Sequence, residues 1–138
     1  MSRKKAREFA FLFLHQREFR QDDPVEQRDL FTQEYVMDET DLLFFDDLCR
    51  DVYATRLSLD EIIEPLLTKW TIDRLPKTDL TLMRIAVHEI VNSSDVPKKV
   101  AVNEAIVLAK KYCRPESRSY INGILGKIPE GSKHESNP

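Results

Sequence analysis

Apolar residues along this chain recur three and four positions apart, and no stretch alternates apolar and polar in the manner of a strand. A repeat near 3.6 residues puts one stripe of each segment against a core, so the pattern predicts helices nearly throughout. The first is expected over about 3–19, with Ala6, Phe9, Ala10, Phe13 and Leu14 on one face. Phe11 and Leu12 widen that face and predict burial around much of the helix. Gln21-Asp22-Asp23-Pro24 stops it. A second helix over about 24–36 presents Val25, Leu30, Phe31 and Tyr35, and a third over about 39–57 repeats Leu42, Phe45, Leu48, Cys49 and Val52.

Ser58 and Glu61 form a capping-box pattern, a hydroxyl answered by a carboxylate three residues on, ahead of Leu59, Ile62, Ile63, Leu66, Leu67 and Trp70. Pro65 lies inside that series and is expected to kink or restart the helix, because its ring clashes with the preceding turn. The next helix starts near Pro76–Thr78, runs to about Asn92, and buries Leu80, Met83, Val87, Ile90 and Val91. Pro97 opens another, with Lys98 and Lys99 exposed at its start. Val100, Ala101, Val102, Ala105, Ile106, Leu108 and Ala109 cover most of its surface, which predicts a place at the centre of a bundle. The last helix, from about Glu116, buries Ile121, Ile124, Leu125 and Ile128. Within it Asn122-Gly123 reads as a close-packing point rather than a turn. Periodicity is lost over 129–138, a tail expected to fray.

A chain of 138 residues is one domain's worth, and 41% hydrophobic with 33% charged residues is a globular balance. No apolar run reaches the roughly 20 residues needed to span a bilayer, and the start lacks the pattern of a signal peptide. Cys49 and Cys113 stand alone, as small core residues in a reducing cytosol do, so the chain reads as cytoplasmic.

The net charge of −3 hides a strong asymmetry. Residues 1–20 carry six cations and two acids, residues 21–95 seven cations and eighteen acids, and residues 96–138 eight cations and four acids. Two basic ends enclose an acidic middle. Local positive potential is what displaces counterions from nucleic-acid phosphates, although lysine and arginine also serve simply to solubilise.

Catalytic chemistry is scarce. His15, His88 and His134 are far apart, and none has a His or Cys neighbour at metal-ligand spacing. No glycine-rich phosphate loop follows a strand. Asp46 and Asp47 are adjacent on a helix, point about 100° apart, and read as a solvated face. These residues predict neither an enzyme nor a metal or cofactor.

Two constellations point elsewhere. Arg3, Lys4, Lys5 and Arg7 lie at the start of the first helix, where cations oppose the macrodipole, so helix stability does not explain them. An incoming phosphate would turn that penalty into attraction; a solubilising tail is the alternative. The second lies in the break before the last helix. Ser117 is placed to cap that helix, and Tyr120 falls at the edge of its inner face, beside Arg114 and Arg118. An aromatic among cations can stack on an unpaired base while the cations hold the backbone, or it can simply cover the rim of the core.

Three stretches carry a resemblance that covers most of the chain. They are Arg-Lys-Lys-Ala-Arg-Glu at 3–8, Leu-Met-Arg-Ile-Ala-Val-His-Glu-Ile at 82–90, and 96–125, from Val-Pro-Lys-Lys-Val-Ala-Val-Asn-Glu-Ala through Tyr-Ile-Asn-Gly-Ile-Leu. In them the chain resembles the NusB family of bacterial transcription antitermination factors. The resemblance implies an all-α fold, a compact bundle of about seven helices in two packed three-helix subdomains, working without a cofactor. On this sequence the N-terminal unit would span about 1–57, the C-terminal unit about 58–128 and a tail 129–138. It implies binding to boxA, a short single-stranded element of nascent RNA, jointly with NusE, a basic ribosomal protein. The pair helps the RNA polymerase antitermination complex through terminators, notably in ribosomal RNA operons.

By position, the family's basic RNA-binding segment falls on Arg3, Lys4, Lys5 and Arg7, a further arginine on Arg84, its aromatic on Tyr120, and a loop residue on Ser117. Arg118 joins these from its own place beside Tyr120. The NusE-facing surface is implied at Asp73 and Asp79, with His15 where the family commonly has tyrosine. An acidic surface suits a basic partner. Tyr120 stands for the family's usual phenylalanine, Gly126 for a common aspartate, and lysines at 4 and 5 for residues more often arginine. The resemblance also admits a monomer or a homodimer, the latter able to cover the RNA surface. Two other readings stay open: a protein-interaction module of the same fold without RNA affinity, and a detached NusB-like domain of an RNA methyltransferase.

Overall fold

The computed structural model describes residues 3–68 and 70–130. Among the described residues every regular element is helical. They run α1 (Arg3–Phe19), α2 (Pro24–Glu34), α3 (Glu39–Ala54), α4 (Arg56–Ile63), α5 (Lys77–Asn92), α6 (Lys98–Tyr112) and α7 (Pro115–Gly126). Two short 3-10 turns, Glu64–Leu66 and Ile72–Arg74, lie between α4 and α5. The chain divides into two compact units, one ending at Ala54 and the other beginning at Thr55. The first holds three α-helices and the second four.

In the first unit α1 packs along α3. Ala6, Ala10, Phe11, Phe13 and Leu14 of α1 are buried, as are Phe45, Leu48, Cys49 and Val52 of α3. Asp23 caps α2 by accepting the Glu26 backbone N–H at 2.9 Å, with Pro24 in the first turn where its missing N–H costs nothing. Asp38 does the same for α3 through the Asp41 N–H at 2.8 Å. The expected apolar side of α2 is corrected: Val25 is 67% and Leu30 56% exposed, and Gln27 and Phe31 are the buried pair. Phe31 is the one apolar residue of this helix that is buried. Phe31 meets Phe13 and Phe45 at centroid distances of 5.2 and 5.6 Å. The Arg28 fork grips Asp46 at 3.0 and 2.7 Å from outside.

In the second unit α5 is the central helix, packed by α4, α6 and α7. Leu80, Leu82, Met83, Ile85, Ala86, Val87 and Ile90 bury it on most sides. This corrects the expectation for α6, which buries only Ala101, Ala105, Leu108 and Ala109 and leaves Val100 43% exposed. Small residues on α6 serve close approach to α5 on one face; they do not line a buried cylinder.

The cap expected at Ser58 is also corrected. α4 begins at Arg56 with Thr55 before it, Ser58 lies within the helix, and no side chain caps it. Pro65, expected to kink or restart the helix, lies beyond its end: α4 stops at Ile63, and the chain tightens into a 3-10 turn from Glu64. Trp70, beyond that break, is 48% exposed instead of continuing the apolar stripe. The third helix stops at Ala54, short of Leu57, which is 71% exposed. Met1, Ser2, Lys69 and 131–138 of the expected tail lie outside the described residues, as does His134.

Gly123 is not a packing point. It is exposed, and a Cβ built on it meets nothing within 4 Å. A helical glycine in open space costs backbone entropy without returning contact. Gly123→Ala is therefore expected to stabilise the chain by about 0.5–1 kcal/mol, read as a raised thermal midpoint.

Candidate functional site

The basic start of α1 is divided by burial. Arg3, Lys4 and Lys5 are exposed, whereas Arg7 is 6% exposed. The Arg3 and Arg7 guanidinium groups lie over the Phe44 ring, 5.1 and 5.4 Å from its centroid. Such stacking on an aromatic face helps to fix each planar head. Lys5 pairs with Glu8 at 3.3 Å and covers Phe9. His15, further along α1, stands between the rings of Phe11 and Phe19. Burial lowers its pKa, opposed by the charge of Glu18.

The second unit places the remaining candidates on α5 and α7 and in the turn before α5. Arg84 is committed to α4. Its Nε and a terminal nitrogen donate to the two oxygens of Asp60 at 2.8 and 2.7 Å, with side chains 11% and 15% exposed. Asp73 is exposed in the 3-10 turn, and hydrogen bonds from Thr71 and from its own backbone hold its carboxyl below the usual range.

Asp79 is not at the surface. It is 3% exposed in the first turn of α5, and its Oδ2 accepts the Ser117 hydroxyl at 2.8 Å. Ser117 is itself 6% exposed, so the expected helix cap is corrected: α7 follows Arg114 with no side-chain cap, and the serine reaches across to α5. The Thr78 hydroxyl donates to Asp79 Oδ1 at 3.3 Å. Burial and a hydrogen bond to Asp79 push the Cys113 thiol up to about 12. Tyr120 is half-buried, and its hydroxyl is enclosed without a hydrogen-bond partner. Burial first, and then the charge of Asp79, raise its pKa. A buried hydroxyl left unpaired is costly, so Tyr120→Phe is expected to leave stability unchanged or raise it by about 1 kcal/mol in thermal unfolding.

Arg118 is half-exposed and lines a wide open groove of about 1240 Å³ between α6 and α7. Lys98, Lys99 and Lys110 stand on it with Asn103 and Asn122, against Glu104 and Glu130. The groove was not anticipated from the sequence, although Lys99, Asn103, Ile106 and Lys110 follow helical spacing along one face. Among the described residues no group of three or more His, Cys, Asp or Glu side chains is placed to hold a metal, and no helix is long and apolar enough to cross a membrane.

The model of the NusB family matches residues 4–130. The chain belongs to the NusB family. Transcription antitermination protein NusB of Acetivibrio thermocellus is 37% identical over 128 residues, covering 93% of this chain and 88% of that protein. Among solved structures, T. maritima NusB has a TM-score of 0.85 at 30% identity, covering 98% of each chain. A NusB solved with NusE and double-stranded RNA has a TM-score of 0.81 at 26% identity, covering 90% of this chain and 92% of that one.

Proposed function

We propose that this chain is an RNA-binding transcription antitermination factor that acts with NusE, as a cytoplasmic adaptor and not as an enzyme. The observation that supports this most is its likeness, over 90% of its length, to the NusB solved with NusE and double-stranded RNA. The chemistry agrees. Exposed Arg3, Lys4 and Lys5 on α1 gain from phosphate what they lose against the helix macrodipole. On α7 the half-exposed ring of Tyr120 and the guanidinium of Arg118 suit an unpaired base and its backbone, which favours a boxA-like single strand. Exposed Asp73 offers a basic ribosomal protein an acidic contact, and His15 lies half-buried on α1. Arg7, Ser117 and Asp79 act from within, by holding the surfaces that make contact, while Arg84 is taken up by Asp60 and serves the packing of α4 on α5.

Fluorescence anisotropy with labelled boxA RNA, a scrambled strand and a duplex, with and without NusE, tests the reading. Tighter binding to boxA, strengthened by NusE and weakened by salt, is the expected result. Equal, weak binding to all three would leave a helical interaction module without RNA recognition.

A further inference from the structure

Ser117 was expected at the RNA surface and Asp79 at the partner surface, yet the two side chains are hydrogen-bonded to each other and buried. The carboxylate lies in the first turn of α5, and the serine that donates to it lies in the first turn of α7. Cys113, the residue that ends α6, lies close enough for this carboxylate to raise its thiol pKa, after burial. The N-terminal turns of α5 and α7 therefore meet at one anion. Anions are stabilised at helix N-termini, and a hydroxyl donating to a carboxylate makes a strong bond. The start of α7 needs such an anchor because it lacks a cap: Arg114 offers no side-chain bond, and Arg114, Pro115 and Glu116 are exposed. One turn on stand Arg118 and Tyr120.

We propose that Asp79 is a positioning residue that fixes the start of α7, and through it Arg118 and Tyr120, in the geometry that receives RNA. The proposal rests on the RNA-binding reading above. A residue 3% exposed has little surface to offer a partner protein, so its effect on binding runs through Ser117. Loss of either side chain frees the first turn of α7 and unsettles the cation and the ring together.

The test compares Ser117→Ala, Asp79→Ala, Asp79→Asn and the double alanine variant, each measured for boxA RNA affinity and, separately, for NusE affinity. Each single alanine is expected to weaken RNA binding roughly tenfold, and the double variant no more than the weaker single, as for one shared interaction. Asp79→Asn keeps an acceptor for the serine and should return to within about threefold of the parent chain. NusE affinity should change less than about twofold throughout. Weakened NusE binding with RNA binding intact in Asp79→Ala would make this residue a partner contact and overturn the proposal, as would effects that multiply in the double variant. Amide hydrogen exchange of 116–120 in the RNA-free chain separates this from failure of the functional reading. Faster exchange in Ser117→Ala is expected whether or not RNA binds, and unchanged exchange refutes the latch. Should Asp79→Ala not fold, Ser117→Ala and Asp79→Asn still decide it.

Discussion

Arg84→Ala is expected to destabilise the chain by about 2–4 kcal/mol, because it strands the Asp60 carboxylate in a site where both partners are mostly enclosed. The pair joins α4 to α5, and the bidentate fork supplies two charge-assisted hydrogen bonds that water cannot fully replace at 11% and 15% exposure. Asp60→Ala should cost a similar amount from the other side. The combined Arg84→Met/Asp60→Leu change should recover most of the loss, since removing both charges spares the desolvation that one alone incurs. Chemical denaturation midpoints read all three. The same variants decide what Arg84 does for RNA. Measured where the fold is intact, Arg84→Ala should leave RNA affinity within about twofold, because its fork is already occupied. A large loss of affinity with unchanged stability would instead make Arg84 an RNA contact.

Reversing the charge of the exposed start of α1, with Arg3→Glu, Lys4→Glu and Lys5→Glu combined, should lower RNA affinity by about 100-fold or more at low salt. Each phosphate contact contributes about 0.7 to the slope of log affinity on log salt for a single strand, so losing three should flatten it by about 2. Stability should change little. Carboxylates in a first helical turn complement the macrodipole that the native cations oppose. Against that gain, Glu8, whose side chain is 11% exposed, loses its pair with Lys5 at 3.3 Å and meets a like charge three residues away. A thermal midpoint close to that of the parent chain, with binding lost, is the expected signature. An unaltered salt slope would show that the α1 cations solubilise the chain and do not touch RNA.

The helices were legible because apolar spacing is a local property. α1, α5 and α7 lie within a residue or two of their expected bounds. Misjudged features depend on what each side chain meets. Val25 and Leu30 are apolar and at helical spacing, yet α2 has no second layer to bury them. Ser58 matched a capping box, but the turn at Thr55 starts the helix earlier and carries the serine inside it. Gly123 looked like a packing point and faces open space. Among the candidate residues, Arg3, Lys4 and Lys5 are exposed as their charge suggested. Arg7, Arg84, Asp79 and Ser117 are all turned to internal partners or buried surfaces that lie distant in sequence. Single-residue chemistry cannot foresee such pairings; Asp79 and Ser117 are separated by 38 positions.

The thin attachment of α2 has a practical consequence. Of its eleven residues only Gln27 and Phe31 are buried, and Val25 and Leu30 face outward in the same helix. A dye, crosslinker or surface tether placed at either position would report on the protein while leaving the α1 start, α5 and α7 chemically untouched. Exchanging those two exposed apolar side chains for polar ones would also remove sticky surface from a molecule meant to be handled at high concentration.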